Sequence, residues 1–485
     1  MKKFFFLFLI LLPVVMHARI SLPGLMSDGM VLQRNSSVSI WGYAAPSKSL
    51  RVSTEWNGAT YRTSADSEGF WQVDIATAEA GGPYTIEISQ GRDKELITDI
   101  LIGEVWLCSG QSNMQMPLMG FNSQPVKGSV ASILDAPSRR NVRLFQVPRH
   151  VRPGKQEDID ARWEHCSITS ASTFSAVGFY FATRLADALG VPVGIIESDI
   201  GGTRIEAWMS RTSAVQVFPD VLATDHGDAN DTGCLYDSMI WPLRRYSIRG
   251  FLWYQGESNV HGYKLSPELQ ASMVRDWRDI FPKGESLPFY FVMIAPYLYG
   301  NDYPYGSIAA PLFWEAQIKA WRLIPNSDIA VTTDIGSADD IHPSGKQEVA
   351  DRLILLAMHG TYGDGGRDYE GSAADWRGPV YKSSVFHTDG TVTVEFDSAS
   401  TLAPAKAFSD VPIQGFELAG EDRIFHKAEA HILQPTPYAF TKSVVVSCTE
   451  VPSPVAVRYA FHDVPECNLV NTLGLPAFPF RSDDW

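Results

Sequence analysis

Cysteine is scarce, with five in 485 residues. That is far below what a disulfide-braced scaffold needs, so a hydrophobic core must hold the fold together. Cys448 and Cys467 share the C-terminal segment and could form a single bridge after export, whereas Cys108, Cys166 and Cys234 read as buried thiols. Long apolar runs are missing too. After residue 18 no stretch approaches the roughly 20 continuous apolar residues that a membrane-spanning helix requires. Positive charge is in deficit, with 40 Lys and Arg against 55 Asp and Glu and a net charge of -15. Such a surface repels nucleic acid phosphates and anionic lipid, which removes both from the expected partners and argues against membrane insertion. Histidines are few, 11 in all. None pairs with a second His and a carboxylate at zinc-binding spacing, so neither a metal nor another cofactor is implied. Repeats of fixed period and low-complexity tracts are absent as well.

Lys2 and Lys3 precede an apolar stretch from Phe4 to Met16 that closes at the small residue Ala18. This reads as a cleaved secretory leader over residues 1–18, which predicts a secreted or periplasmic protein. Losing the two lysines takes the net charge from -15 to -17. From residue 19 to 100, short apolar runs such as SVSIWGYA, FWQVDIA and YTIEISQ alternate with turn residues. That pattern predicts an N-terminal β-sandwich. Over 101–366 the pattern changes. Continuous apolar runs (EVWLCSG, VPVGIIESDI, RGFLWYQG, PFYFVMIAPY) alternate with helix-period segments such as FSAVGFYFATRLADALG and KQEVADRLILLAMHG. Strands apolar on both faces belong to a sheet covered on both sides, so an α/β domain with a mostly parallel sheet is expected. Residues 367–485 return to β-type runs (TVTVEF, KSVVVSC, PVAVRYAF) and predict a C-terminal β-rich domain.

Ligands of open α/β sheets bind beyond the carboxyl ends of the strands. Four of those ends carry polar groups suited to chemistry. The first expected strand runs into Ser109-Gly110-Gln111-Ser112-Asn113, and another ends in Asp199-Ile200-Gly201-Gly202-Thr203. A further strand ends in Tyr254-Gln255-Gly256-Glu257-Ser258-Asn259, and the last is followed by Asp339-Asp340-Ile341-His342-Pro343. Serine, paired glycines, side-chain amides and a histidine beside aspartates are the parts that acyl transfer requires.

These four segments resemble blocks I, II, III and V of the SGNH-hydrolase superfamily. EVWLCSGQSNMQMPL, GGTRIEAW, WYQGESN and DIHPSGK resemble, more narrowly, the sialate O-acetylesterase family, and the likeness extends to SDGMVLQR near the start and NLVNTLGLPAFPFRSDDW at the end. The resemblance implies a flavodoxin-like three-layer α/β catalytic domain flanked by β-rich domains. It makes Ser112 the nucleophile and His342 its general base, oriented by Asp340 as in the narrower family or by Asp339 as in the wider one. Oxyanion donors are then the backbone amides of Ser112 and Gly202 and a side-chain amide from Gln255, with Asn259 or Asn113 as substitutes. Arg204 and Glu257 are candidates for meeting the substrate.

The implied activity is metal-independent removal of O-acetyl groups from carbohydrate through an acetyl-serine, with sialoglycan the leading substrate. Two alternatives remain open. An esterase of acetylated plant polysaccharide such as xylan would use the same machinery, and a non-catalytic glycan-binding protein would use the β domains alone.

Overall fold

The computed structural model describes residues 19–299, 308–363, 376–397, 402–404, 412–433 and 441–485. The expected leader, 1–18, and the expected domain boundary at 366–367 lie outside these residues. Eight α-helices are used below, numbered in chain order: α1 (Ser112–Gln115), α2 (Ser129–Asp135), α3 (Ile168–Thr173), α4 (Ala176–Leu189), α5 (Arg211–Val217), α6 (Ser266–Ile280), α7 (Ala309–Leu323) and α8 (Lys346–Gly360).

The N-terminal region forms strands β1 (Val31–Gln33), β2 (Ser37–Tyr43), β3 (Ser49–Thr54), β4 (Thr60–Ser64), β5 (Phe70–Ala76) and β6 (Gly81–Gln90). β2 pairs with β5, and β3 pairs with both β4 and β6, all antiparallel. Next comes β7 (Asp93–Gly110), an 18-residue strand that pairs antiparallel with β6 over its first half. Its side chains alternate in exposure up to Ile97, then from Ile100 onward every residue is buried. That switch marks the point where a strand wet on one face becomes a strand covered on both. The boundary expected at residue 100 therefore falls inside a single strand.

The second half of β7 is the centre of an α/β sheet. The other members are β8 (Val142–Gln146), β9 (Glu164–His165), β10 (Val193–Asp199), β11 (Gly250–Tyr254), β12 (Phe289–Val292) and β13 (Ser327–Ala330). Their spatial order is β13-β12-β11-β7-β10-β8-β9, parallel throughout except for the edge strand β9. α4 and α8 pack on one face, over Trp106, Leu252 and Tyr290. α6 and α7 pack on the other, over Phe251, Trp253 and Phe291, and there the same apolar cluster continues into Trp41, Trp71 and Ile88 of the N-terminal strands. The N-terminal region thus shares its core with the α/β sheet.

The C-terminal region forms two four-stranded antiparallel sheets around a third cluster that includes Val394, Leu418, Val446 and Tyr459. Cys448 and Cys467, considered above as a bridging pair, are both free thiols, as are the other three cysteines. No helix among the described residues is long and apolar enough to cross a membrane.

β7 is central because the chain steps first to one side of it, to β8 and β10, and then to the other, to β11, β12 and β13. Strand order reverses beside its carboxyl end, which is where crevices open in such sheets. Gly110 ends the strand with φ 144°, and a Cβ there would lie 2.1 Å from the carbonyl oxygen of Tyr254. Only glycine admits β11 so close to the residues before Ser112.

Candidate active site

Three strand ends are in register. Gly110 of β7 pairs with Asp199 of β10 on one side and with Tyr254 of β11 on the other. The loops that follow, led by Gln111, Ile200 and Gln255, consequently diverge from one point. The buried Gln111 holds two of them together. Its N–H donates to the Tyr254 carbonyl (3.0 Å), while its side-chain oxygen accepts from the N–H groups of Gly256 (3.4 Å) and Ser258 (3.2 Å). Ser112 then opens the short helix α1, whose first N–H groups have no partner within the helix.

Ser112 Oγ lies 2.8 Å from His342 Nε2, although 230 positions separate the two residues. His342 sits between β13 and α8, in a segment held by Asn113. The Asn113 amide N–H₂ donates to the Ile341 carbonyl (2.9 Å) and to Glu257, and its oxygen accepts from the Lys346 ammonium. Lys346 is fully buried, and burial drives its amine down to about 7. Burial likewise raises the carboxyl of Glu257 above its ordinary range. The imidazole of His342 is held below its ordinary value, chiefly by burial and then by the positive charge of Lys346, against the pull of Asp340. A base so disposed stays neutral, and able to take a proton, into mildly acidic solution.

Neither aspartate contacts the imidazole ring. Asp339 is exposed to solvent. Asp340 turns its carboxylate to the His342 backbone N–H (2.8 Å) and to the side-chain amide of Gln124 (2.7 Å). It is Gln124 whose Oε1 lies 3.2 Å from His342 Nδ1. Because Asp340 is only two residues from His342, its side chain is drawn to the backbone of its own turn, and the place beside Nδ1 is filled from the loop after α1. Phe121 of that loop sets its ring edge-on to the imidazole at 5.2 Å.

The paired glycines come close to the serine. A Cβ at Gly201 would lie 3.2 Å from that of Ser112, and the Gly201 N–H donates to the Gln115 side chain. Gly202 adopts φ 72° with open space about it. The side-chain amides expected as oxyanion donors are committed elsewhere. Gln255 Nε2 spends both hydrogens, on the Thr203 carbonyl (3.0 Å) and on Asn259 Oδ1 (2.7 Å). Asn259 accepts from the Ile205 N–H (3.0 Å) and donates to Glu206 (2.9 Å). Together they anchor the loop that carries Gly201 and Gly202. Glu257 is 7% exposed and bonded to Asn113, which makes it a brace and not a surface for substrate. Arg204 hydrogen-bonds Thr224 Oγ1 and the Asn230 carbonyl, and no carboxylate among the described residues forms an ion pair with it.

At the end of β10, Arg149 reaches the buried carboxylates Glu197 and Asp199. Burial lifts Asp199 to about 6 despite that arginine. Among the described residues no three His, Cys, Asp or Glu side chains converge as a metal site would require.

A serine hydroxyl on an imidazole at a sheet crevice is machinery for acyl transfer, and comparison with known proteins narrows the chemistry. A family model described as a carbohydrate esterase, sialic acid-specific acetylesterase, matches residues 102–350. This chain belongs to that family. The sialate O-acetylesterase of Pongo abelii is 30% identical over 382 residues, spanning 71% of this chain and 72% of that protein. That of Homo sapiens is 29% identical over 382 residues, with the same shares of 71% and 72%. The crystal structure of a carbohydrate acetylesterase from Xanthomonas citri matches with a TM-score of 0.84 at 33% identity, covering 96% of this chain and 100% of that one. As a member of this esterase family the chain acts on O-acetylated carbohydrate, and the matched segment holds Ser112, Gly202 and His342.

Proposed function

We propose that this carbohydrate esterase works through an acetyl-serine on an SGNH-type site and that its substrate is O-acetylated sialic acid. The observation that carries the mechanism is the 2.8 Å contact of Ser112 Oγ with His342 Nε2. The imidazole takes the hydroxyl proton as the oxygen attacks the acetyl carbonyl. The resulting oxyanion is met by the backbone N–H groups of Ser112 and Gly202. Each such donor contributes about 100- to 1000-fold in rate. Collapse expels the sugar hydroxyl, which recovers the proton from His342, and a water activated by the same imidazole then releases acetate.

Two things support sialic acid. The curated relatives carry that substrate in their names, and Arg204 stands after the paired glycines with a guanidinium free of carboxylate partners among the described residues. A cation there offsets a surface whose net negative charge gives no long-range help to an anionic sugar. A second reading, an acetyl ester of neutral polysaccharide, is favoured by the Xanthomonas citri likeness, which spans more of this chain and is described only as a carbohydrate acetylesterase. A leader over residues 1–18, read from Lys2, Lys3 and the apolar stretch that follows, supports a site of action outside the cytoplasm for either activity.

Acetate release from 9-O-acetyl sialic acid and from acetylated xylo-oligosaccharides decides between them. The sialic acid reading expects a higher kcat/KM on the first and its selective loss in Arg204→Ala. Preference for the second substrate overturns that reading. Ser112→Ala should abolish activity on both, and an active variant would sink the mechanism.

A further inference from the structure

Resting on the esterase reading above, we propose that Gln124 is the residue that positions the His342 imidazole, and that Asp340 sets the tautomer and orientation of the ring through Gln124 and not by a hydrogen bond of its own to the ring. The four groups form a chain: Ser112 Oγ to His342 Nε2 at 2.8 Å, His342 Nδ1 to Gln124 Oε1 at 3.2 Å, and Gln124 Nε2 to Asp340 Oδ1 at 2.7 Å. Its far end fixes the direction of every proton. A carboxylate only accepts hydrogen bonds, so the amide nitrogen of Gln124 must face Asp340 and its oxygen must face the imidazole. A carbonyl oxygen also only accepts, so Nδ1 carries the ring proton and Nε2 presents its lone pair to Ser112. The tautomer that can take the serine proton is therefore selected by an amide that a carboxylate holds in one orientation.

The loop bearing Gln124 is built to keep that amide still. Phe121 and Gln124 exchange backbone hydrogen bonds at 3.1 Å, closing a tight turn that passes through Ser123 at φ 62°. Both side chains of this turn grip the same ring, Gln124 at Nδ1 and Phe121 edge-on at 5.2 Å. Three residues on, the Lys127 N–H donates to the Ser344 carbonyl (3.0 Å), and its ammonium pairs with Glu348 of α8 (2.6 Å). The turn is thereby fastened to the segment after His342, as Gln124 fastens it to Asp340 before it. Asp340 is pinned as well, since its carboxylate also receives the His342 backbone N–H. Placing a neutral amide at Nδ1 keeps a formal negative charge off the ring, which agrees with an imidazole held below its ordinary value by burial and by Lys346.

The test is kinetic, on p-nitrophenyl acetate with the full-length protein, and includes thermal unfolding of each variant. Gln124→Leu should lower kcat by about 100-fold, the scale of a misplaced catalytic group, with KM near that of wild type. Gln124→Glu brings a carboxylate to Nδ1. It should recover part of the lost kcat and move the acid limb of kcat/KM to higher pH, because a negative neighbour raises an imidazole pKa. Asp340→Asn should slow the wild-type background yet cost nothing further in Gln124→Leu, since residues acting in series are not additive.

Wild-type kcat and pH profile in Gln124→Leu, or an Asp340→Asn loss of equal size in both backgrounds, would overturn the proposal. The wild-type protein offers a check independent of variant folding. Imidazole nitrogen chemical shifts assigned to His342 should report a protonated Nδ1 and a bare Nε2, and the reverse tautomer overturns the proposal. Ser112→Ala separates the two layers of the argument. If it retains activity, the esterase reading falls and this inference with it. If it is dead while Gln124→Leu is unimpaired, only the role of Gln124 falls.

Discussion

Lys346 is the most heavily burdened side chain near the site: an ammonium fully buried in the first turn of α8, one hydrogen bond from Asn113 and 5.4 Å from the Tyr254 ring. Its charge disfavours a second positive charge on His342, so replacing it should be read in the pH profile. With Lys346 present the imidazole titrates below its ordinary value, and activity should persist as pH falls past 6.5. Burial lowers the Lys346 amine to about 7, so the ammonium gains charge as pH falls along that acid limb. Lys346→Met should therefore shift the acid limb of kcat/KM upward, and an unmoved limb would show that burial alone depresses the imidazole.

Which of these residues the sequence discloses follows from where they stand. Ser112 and His342 lie in short motifs at strand ends, and the motifs that the fold brings to within 2.8 Å can be picked out before any fold is known. Gln124 sits in an irregular loop 216 positions from Asp340, and nothing in its neighbours announces the contact. The opposite error arises at Gln255 and Asn259. Amides at a strand end read as donors for substrate until the fold shows the Thr203 carbonyl and Glu206 already receiving them.

At the scale of elements, the loop after β10 carries two adjacent glycines that should respond differently to the same change. Gly201 faces Ser112, and an added Cβ would stand 3.0 Å from Gln115 Oε1 and 3.2 Å from Ser112 Cβ. Gly201→Ala should press on the serine and depress kcat on p-nitrophenyl acetate while leaving thermal stability near wild type. Gly202 has open space but φ 72°, a conformation costing an ordinary residue about 1–2 kcal/mol. Gly202→Ala should lower the unfolding temperature and disturb kcat less. Equal behaviour of the two variants in both measurements would show that the loop shifts as a unit, and that its contact with Ser112 is not the constraint argued here. The elements themselves were legible where burial is uniform: β11, buried along all five residues, reads as a covered strand from its run of Phe, Leu, Trp and Tyr. β7 was legible only in halves, because a strand that alternates and then turns continuously apolar reads as two strands in two domains.

Across the whole molecule, the seams between regions carry charged groups, and residue patterns carry no sign of them. Asp463, from the C-terminal region, accepts the Ala310 N–H (2.7 Å) at the start of α7, and Arg481 pairs with Glu315 on the same helix (3.0 Å). Glu104 joins more of the chain than either. Its fully buried carboxylate takes Arg34 and Gln33 from the N-terminal strands, Arg249 from the approach to β11, and the Tyr362 hydroxyl after α8. Burial pushes this carboxyl up, but the two arginines outweigh it and hold it below its ordinary 4.5.

A carboxylate with a depressed folded pKa stabilises fully above its unfolded value and loses that contribution as pH falls through the folded one. Stability should therefore drop as the solution is acidified below about 4.5. Glu104→Gln leaves two partly exposed arginines against an uncharged partner and should cost about 1–3 kcal/mol, the range for leaving a hydrogen-bonding group unmatched. The form of the transition is more telling than its midpoint. Because the N-terminal strands share both this carboxylate and an apolar cluster with the α/β sheet, calorimetry of Glu104→Gln should show them melting together with the sheet in one lowered transition. Activity on p-nitrophenyl acetate should vanish at the same temperature. An early, separate N-terminal melt with activity preserved would mean that the seam adds stability without cooperativity and that β7, though continuous, runs through two independent units.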